Sequence, residues 1–478
     1  MINTTTSLLP HQARAVEKLK PSRVGALFME MGTGKSRTAI EIVATRQHKI
    51  SRVIWLCPVA LKQTVKFEIL KHTDASESDI NVFDDKTGNS KLPSSFWHVV
   101  GVESVSASTR VALALHALID SKTMVIMDES SYIKGPFSTR TMRVTEYAKK
   151  ARYRLILTGT PISQGVVDLF AQMKFLSPEI LGYNSFYTFA RRHLIYSDRF
   201  PGMIISSKNI PFLSAQIEPY VYQVTKDECM DLPDKMYDHF SFDMTREQKR
   251  IYEKAKEYWF EQLVDYNSDY QRSIVIMGMF TALQQVACGF WHRRVKGGWE
   301  TVEMYHHRLE YLQDAIDRAS GQIVIWSKYQ HDIAEIKEML QKQYGNDSVC
   351  LFHGGINEKQ RAAELDKFHS GSARFFLATP QCGGYGLTLN EAETVIFYSN
   401  GFKYSERIQA EDRTHRIGQT KRVLYIDIWA NCGIEDRISS ALASKGNAVE
   451  SFREEIKAIK DLKGKDRKEA LKKIKERL

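Results

Sequence analysis

Short apolar runs, each followed by a stretch with helical spacing, recur through the first part of the chain. They are Val24-Gly25-Ala26-Leu27-Phe28, Val53-Ile54-Trp55-Leu56-Cys57, His98-Val99-Val100-Gly101-Val102, Met124-Val125-Ile126-Met127 and Arg154-Leu155-Ile156-Leu157. Strand and helix in alternation over this length predict a parallel α/β sheet. From about Gly165 to Tyr220 the pattern turns mostly helical and aromatic, and from Thr245 to Gly289 it is helical again, with Tyr252, Tyr258, Trp259 and Phe260. A second alternating block then begins: Gln322–Trp326, Ser348–Phe352, Arg374–Leu377, Thr394–Tyr398 and Val423–Ile426. The expected fold is α/β, with two parallel-sheet lobes and helical insertions between them. The expected divisions are a first lobe over 1–235 with a helical insertion at about 165–220, a linker with helical insertion over 236–310, a second lobe over 311–450, and a basic helical tail over 451–478. No wedge-like hairpin is legible.

Length agrees, since 478 residues exceed one ordinary core. The 43% hydrophobic and 26% charged residues are those of a soluble globular chain. The absence of any run of about 18 apolar residues predicts no membrane span and no membrane partner. The opening MINTTTSLLPHQ lacks the basic-then-apolar plan of a signal peptide. Cys57, Cys229, Cys288, Cys350, Cys382 and Cys432 are scattered with no C-x-x-C pair, so neither disulfides nor a zinc site is expected, and a reducing cytoplasm fits. The formal net charge of +10 permits a polyanionic partner. Half of that excess lies in Ser451–Leu478, which reads as two short basic amphipathic helices broken near Gly464. Such a tail is either a solvated face or a nucleic-acid contact.

Chemistry enters at LFMEMGTGKSRTAIEIV, residues 27–43. Strand, glycine loop, Lys-Ser and helix is the layout of a phosphate-binding loop. Gly32, Thr33 and Gly34 turn backbone N–H groups onto phosphates, Lys35 reaches the outer ones, and Ser36 holds Mg²⁺. Met29 stands where the full pattern has its first glycine. The run Met124–Met127 ends in Asp128-Glu129, about ninety residues after Lys35. At a strand end beside such a loop, Asp128 suits Mg²⁺ and Glu129 suits the attacking water. The run Arg154–Leu157 leads into Thr158-Gly159-Thr160-Pro161, either a nucleotide-state sensor or a simple turn. In QAEDRTHRIGQ, residues 409–419, Arg413 and Arg416 are three apart. On a helix they would share a face and could stabilise a transferring phosphoryl group as an arginine finger does.

The order of these segments resembles the Swi/Snf-related, helicase-like ATPases of superfamily two, in a compact bacterial or phage-type form. The matching segments are Leu9-Pro10-His11-Gln12, EMGTGKS, LCPVALKQTVKFEI, DESSYIK, LTGTPISQ, LPDK with Gln248 and Tyr252, LQQVACG, IVIWSKY, HGG, ATPQCGGYGLTL and QAEDRTHRIGQ, which span roughly Leu8 to Ile438. The family's usual Asp and Thr of the loop are Met29 and Ser36 here, the fourth residue of its DExH box is Ser131, and a family Trp is Val65.

The resemblance implies two RecA-like lobes, ATP and Mg²⁺ as cofactors, and an active DNA-dependent ATPase. It carries adenine reading to Gln12, a nucleotide contact to Gly386, and nucleic-acid contacts to Lys62, Ser327 and Thr379. It implies a translocase on double-stranded or branched DNA that remodels forks or strips bound proteins. A strand-separating helicase is the alternative within the enzyme class, and a nucleotide-gated DNA-binding module working with a nuclease or polymerase is the alternative outside it. A replication or repair partner, a monomer, and the nucleoid-associated cytoplasm of a bacterial or phage-infected cell complete the expectation.

Overall fold

Each of the ten apolar runs named above forms a strand. The computed structural model describes residues 2–478 except 85–86, 88–91, 93, 160, 163–164, 197–203, 266–268, 296, 357, 381–386, 460–461 and 463. Two units are present, Met1–Asp231 and Leu232–Leu478. Among the described residues of the first unit the strands are β1 Val24–Met29, β2 Arg52–Cys57, β3 Ile80–Val82, β4 Trp97–Gly101, β5 Thr123–Asp128, β6 Tyr153–Thr158, β7 Leu194–Tyr196, β8 Ile204–Ser207 and β9 Val221–Val224. The main sheet has the order β3-β4-β2-β5-β6-β1-β9 and is parallel throughout.

Both faces of this sheet are covered, which is why its strands read as unbroken apolar runs. In β5, Met124 and Ile126 join one core with Trp55, Leu27, Leu157 and Ile40, while Val125 and Met127 join the opposite core with Ile54, Phe28, Ile156 and Phe170. The aromatic segment after β6 builds the second of these cores through helices Val167–Leu176 and Phe186–His193, with Phe189 fully buried. The β7–β8 pair is antiparallel and separate from the main sheet.

The second unit holds β10 Lys235–Phe242, β11 Phe290–Val295, β12 Gly298–Glu303, β13 Gln322–Trp326, β14 Val349–Phe352, β15 Phe375–Ala378, β16 Ala392–Phe397 and β17 Val423–Ala430. Its parallel sheet has the order β10-β17-β16-β13-β15-β14. Three expectations change here. The segment expected as a linker from residue 236 contributes β10, which pairs with β17 over its whole length, from Lys235↔Val423 to Phe242↔Ala430. Its polar residues Asp238, His239 and Ser241 belong to an edge strand, so no apolar run betrays it. A hairpin, β11–β12, is present although the sequence pattern shows none. The tail forms helices Ala448–Ala458 and Gly464–Glu476, but it is anchored rather than simply solvated: Phe452, Ile474 and Leu478 are buried in the second unit's core, and Tyr252 Oη donates to the Leu478 carbonyl.

One buried ion pair fixes the carboxyl end of the second sheet. Arg308 and Glu435 are 0% and 1% exposed and 2.7 Å apart. The guanidinium also donates to the carbonyls of Tyr398 and Ile428, and the Glu435 carboxylate accepts the Ala430 N–H at 2.7 Å. These bonds offset part of the desolvation that makes lone buried charges costly, and burial still holds the Glu435 carboxyl above its ordinary range. Among the described residues no helix is long and apolar enough to cross a membrane.

Candidate active site

In a parallel sheet the carboxyl ends of the strands, with the helix N-termini that follow them, form the natural ligand edge. β1 ends at Met29, and helix Lys35–Ala44 begins after a five-residue loop. Gly32 and Gly34 have φ of 81° and 84°, the left-handed region that a side chain would strain. The loop closes on itself, with the Thr33 N–H donating to the Glu30 carbonyl at 3.3 Å, and leads into a helix N-terminus, where the helix dipole favours an anion. Lys35 Nζ donates to the carbonyls of Met29 and Glu30 at 2.9 and 3.2 Å, so the ammonium lies back along the loop it serves. Ser36 is half-buried beside it.

Gln12 packs directly on this loop. Its Nε2 donates to the Thr33 carbonyl at 3.2 Å, its Oε1 accepts the Leu9 N–H at 3.0 Å, and His11 Nε2 lies 2.8 Å from the same Thr33 oxygen. A Cβ at position 34 would stand 2.1 Å from Gln12 Nε2, a second reason for glycine there. A carboxamide has two donors and two acceptor sites, so each end of Gln12 keeps capacity for a base.

Asp128 closes β5. The register Asp128↔Leu157 and Leu157↔Leu27 places it level with the end of β1, one strand removed. Neighbouring strands lie about 4.8 Å apart, so Asp128 stands on the order of 10 Å across the sheet from the loop's origin. Trp55 Nε1 donates to one carboxylate oxygen at 3.3 Å, and the Glu129 N–H donates to the other at 3.0 Å. Burial, and then the neighbouring Glu129 charge, push the Asp128 carboxyl up to about 7, while the Lys35 ammonium pulls it back down. A buried carboxylate with too little positive charge around it fits a cation. Ser36 and Asp128 supply hard oxygen donors of the kind Mg²⁺ takes. Glu129 follows with φ 51°, an uncommon conformation for a residue with a side chain, and backbone strain of this type clusters at functional sites.

Two contributors escape sequence reading. Trp55 orients Asp128 from 73 residues away. Gln172, 0% exposed on the mostly apolar helix Val167–Leu176, accepts from Ser130 Oγ at 2.6 Å and donates to the Pro161 carbonyl at 2.8 Å. It thus links the turn after Asp128 to the turn after β6. The only signal in the sequence is a glutamine where VDLFAQMKFL is otherwise nearly all apolar. Thr158 is buried at the end of β6, and Thr160 lies outside the described residues.

In the second unit the two arginines are not on a helix. Helix Tyr404–Glu411 stops before them, and Arg413 and Arg416 sit in a run of turns. The helix ends because its next groups bond elsewhere: Thr414 Oγ1 donates to the Glu411 carbonyl, the Leu389 N–H donates to the Arg413 carbonyl at 2.8 Å, and Gln419 Nε2 donates to the carbonyls of Asn390, Ala392 and Thr414. Arg416 Nη1 donates to the Leu387 carbonyl at 3.0 Å, and both arginines are half-buried. His415 Nε2 lies 2.8 Å from the Pro233 carbonyl, and Glu411 accepts from Lys235 and Tyr237, which fastens the turn to β10 and the chain just before it. Arg407, bonded to Glu411, Asn400 and Asp427, completes that support.

Gly386 lies outside the described residues. Lys62 Nζ donates to the Phe83 carbonyl. Ser327 is fully buried, with its hydroxyl on Asp332 at 2.7 Å and Ser399 at 2.9 Å, so its side chain orders the end of β13 and offers no surface for a strand. Thr379 is 8% exposed just past β15. Among the described residues no cluster of three or more His, Cys, Asp or Glu side chains is built to hold a metal by itself.

The SNF2-related domain matches residues 11–289, more than half of the chain, and the helicase conserved C-terminal domain matches residues 307–418. An uncharacterized ATP-dependent helicase of Mycoplasma genitalium is 26% identical over 343 residues, covering 71% of this chain and 31% of that protein. The human DNA annealing helicase and endonuclease ZRANB3 is 25% identical over 446 residues, covering 90% of this chain and 39% of its own length. The chain therefore spans 31% to 39% of the length of these relatives. Among solved structures, the Sulfolobus solfataricus SWI2/SNF2 ATPase core in complex with dsDNA matches at 24% identity, over 99% of this chain and 97% of that one, with a TM-score of 0.44. With the glycine loop, the Asp128-Glu129 pair and the arginine turn all inside the matched ranges, the chain belongs to the SNF2-related family of helicase-like ATPases.

Proposed function

We propose that this chain is a DNA-dependent ATPase that moves along duplex DNA and remodels forked or branched DNA or displaces bound proteins. The observation that carries the reading is the first unit's carboxyl edge, where the Gly32/Gly34 loop, Lys35 and the Asp128-Glu129 pair converge within a SNF2-related domain. The name of one relative, the human DNA annealing helicase and endonuclease ZRANB3, supports DNA as the substrate, and that of the Mycoplasma genitalium relative supports an ATP-dependent helicase.

In this reading Gln12 meets the adenine, and the loop N–H groups and Lys35 hold the phosphates of ATP. Ser36 and Asp128 would hold Mg²⁺, whose positive charge would offset that of the phosphates. A Glu129 carboxylate oxygen orients the attacking water and takes its proton as the water oxygen bonds to the γ-phosphorus and the bond to ADP breaks. Arg416, with Arg413, stabilises the charge on the phosphoryl group in flight. Because Arg416 belongs to the second unit, hydrolysis is tied to how that unit engages DNA, and this is what makes turnover DNA-dependent. Interactions with DNA are mainly with phosphates and hence salt-dependent and sequence-tolerant.

The test is phosphate release from ATP with and without duplex DNA. The reading requires strong stimulation by DNA. A rate that DNA leaves unchanged would favour an ATPase with another target.

A further inference from the structure

We propose that the β11–β12 hairpin is a base-stacking ledge that engages unpaired bases where a DNA duplex opens. This deepens the reading of the chain as a DNA translocase and rests on it.

The hairpin consists of two six-residue strands, about 20 Å long. Its alternation sorts the side chains onto two faces. One face carries Phe290, His292 and Arg294 opposite Glu303, Thr301 and Trp299. Trp299 is 65% exposed, unusual for so large an apolar surface. His292 stacks on it with ring centroids 4.9 Å apart and planes 6° from parallel, and Thr301 Oγ1, 2.9 Å from His292 Nδ1, holds that ring in place. Arg294 lies directly across from Trp299, exposed, and makes no ion pair among the described residues. The carboxylates do not compete for this end: Glu300 is bound by Arg293 on the other face at 2.9 Å, and Glu303 is near the base, 3.1 Å from His331 Nε2.

An open indole face beside an exposed guanidinium fits a nucleobase and the phosphate next to it. In continuous duplex the bases are paired and their faces are covered by their neighbours in the stack, so such a ledge finds unpaired bases only at a gap or a fork. The ledge is also rigidly mounted. Buried Phe290 stacks on His331 at 4.2 Å and meets Tyr329 edge-on at 5.5 Å. Gly289 turns into the hairpin at φ 99°, where a Cβ would stand 1.9 Å from His306.

The test uses the full chain and fluorescence anisotropy on a forked duplex and a blunt duplex of equal length, at fixed salt. The fork carries 2-aminopurine at the first unpaired position, as a second readout of stacking. The unaltered protein should prefer the fork and quench the 2-aminopurine. Trp299→Ala should weaken fork binding on the order of ten-fold, within the range for loss of one base–aromatic stack, remove the quenching and leave blunt-duplex affinity unchanged. Trp299→Phe should restore most of the preference, and Arg294→Ala should lose part of it. Fork preference that survives Trp299→Ala, or an equal loss on both duplexes, would overturn the ledge while leaving DNA binding in place. Failure of the unaltered protein to bind either DNA would overturn the translocase reading and the ledge together.

Discussion

The Gln12 carboxamide donates to the Thr33 carbonyl at 3.2 Å, so the residue implied for reading the base also braces the phosphate loop. If Gln12 reads the base, this bond couples base recognition to the loop. Gln12→Ala should raise the KM for ATP by about ten-fold, the scale of one or two hydrogen bonds, and narrow the preference for ATP over GTP. Steady-state kinetics with both nucleotides read this out. A raised KM for ATP with an unchanged ATP/GTP ratio would leave Gln12 as a brace alone.

Lys35 and Glu129 should separate binding from chemistry. Lys35→Ala should abolish turnover without lowering the melting temperature, because Lys35 is half-buried and its bonds to the Met29 and Glu30 carbonyls lie within the loop rather than in a core. Glu129→Gln should keep ATP affinity and stall hydrolysis, since only the water-orienting carboxylate is removed. Phosphate release and nucleotide titration on each variant check both; absence of ATP binding in Glu129→Gln would give that residue a structural role.

His98 gives the first unit a built-in acid sensitivity. It is 1% exposed in β4, and burial, reinforced by the Arg52 charge, pushes its imidazole down to about 4. A histidine depressed on folding binds its proton more readily in the unfolded chain. Stability from this group is therefore complete above about pH 6.5 and is lost as pH falls toward 4, by on the order of 3 kcal/mol in total. His98→Gln should flatten the fall in melting temperature between about pH 6.5 and 4.5 relative to the unaltered protein. Parallel pH curves for the two proteins would assign the acid sensitivity to other groups.

The basic tail is better tested by substitution than by truncation, because removing it would strip Phe452, Ile474 and Leu478 from a core. Lys465, Lys468 and Lys472 are exposed. If they meet DNA phosphates, changing all three to Gln should make the slope of log affinity on log salt shallower by up to roughly 0.9 for each phosphate no longer neutralised, with no change in basal ATPase. An unchanged slope would make the tail a docking element whose lysines are solvated.

What is legible in the sequence follows from where each side chain's partners lie. β5 and β13 are covered on both faces, so composition alone exposes them, and Lys35 and the Asp128-Glu129 pair stand at fixed offsets from such strands. β10 is opaque because an edge strand needs only alternate apolar residues, and its Met236 and Tyr237 are exposed. β3 and β9, with three and four residues, are too short to show a period. Trp55 and Gln172 act across 73 and 42 residues of chain, which no local pattern records. Arg413 and Arg416 are legible as residues, but not in conformation. The turn that holds them depends on bonds from Leu389 and Gln419, and these form only once the second sheet is assembled.

The most direct measurement is the DNA-stimulated ATPase rate of Arg416→Ala, taken together with its nucleotide affinity. Arg416 lies in a different unit from Lys35 and bonds to the Leu387 carbonyl, so the variant leaves the phosphate loop itself untouched. If Arg416 acts on ATP held by the first unit, affinity should stay near normal while stimulated turnover falls by about 10³-fold or more, the scale of an arginine finger. Arg413→Ala should fall in the same direction. Full DNA stimulation in Arg416→Ala would contradict catalysis shared by the two units and leave only the first unit's nucleotide site.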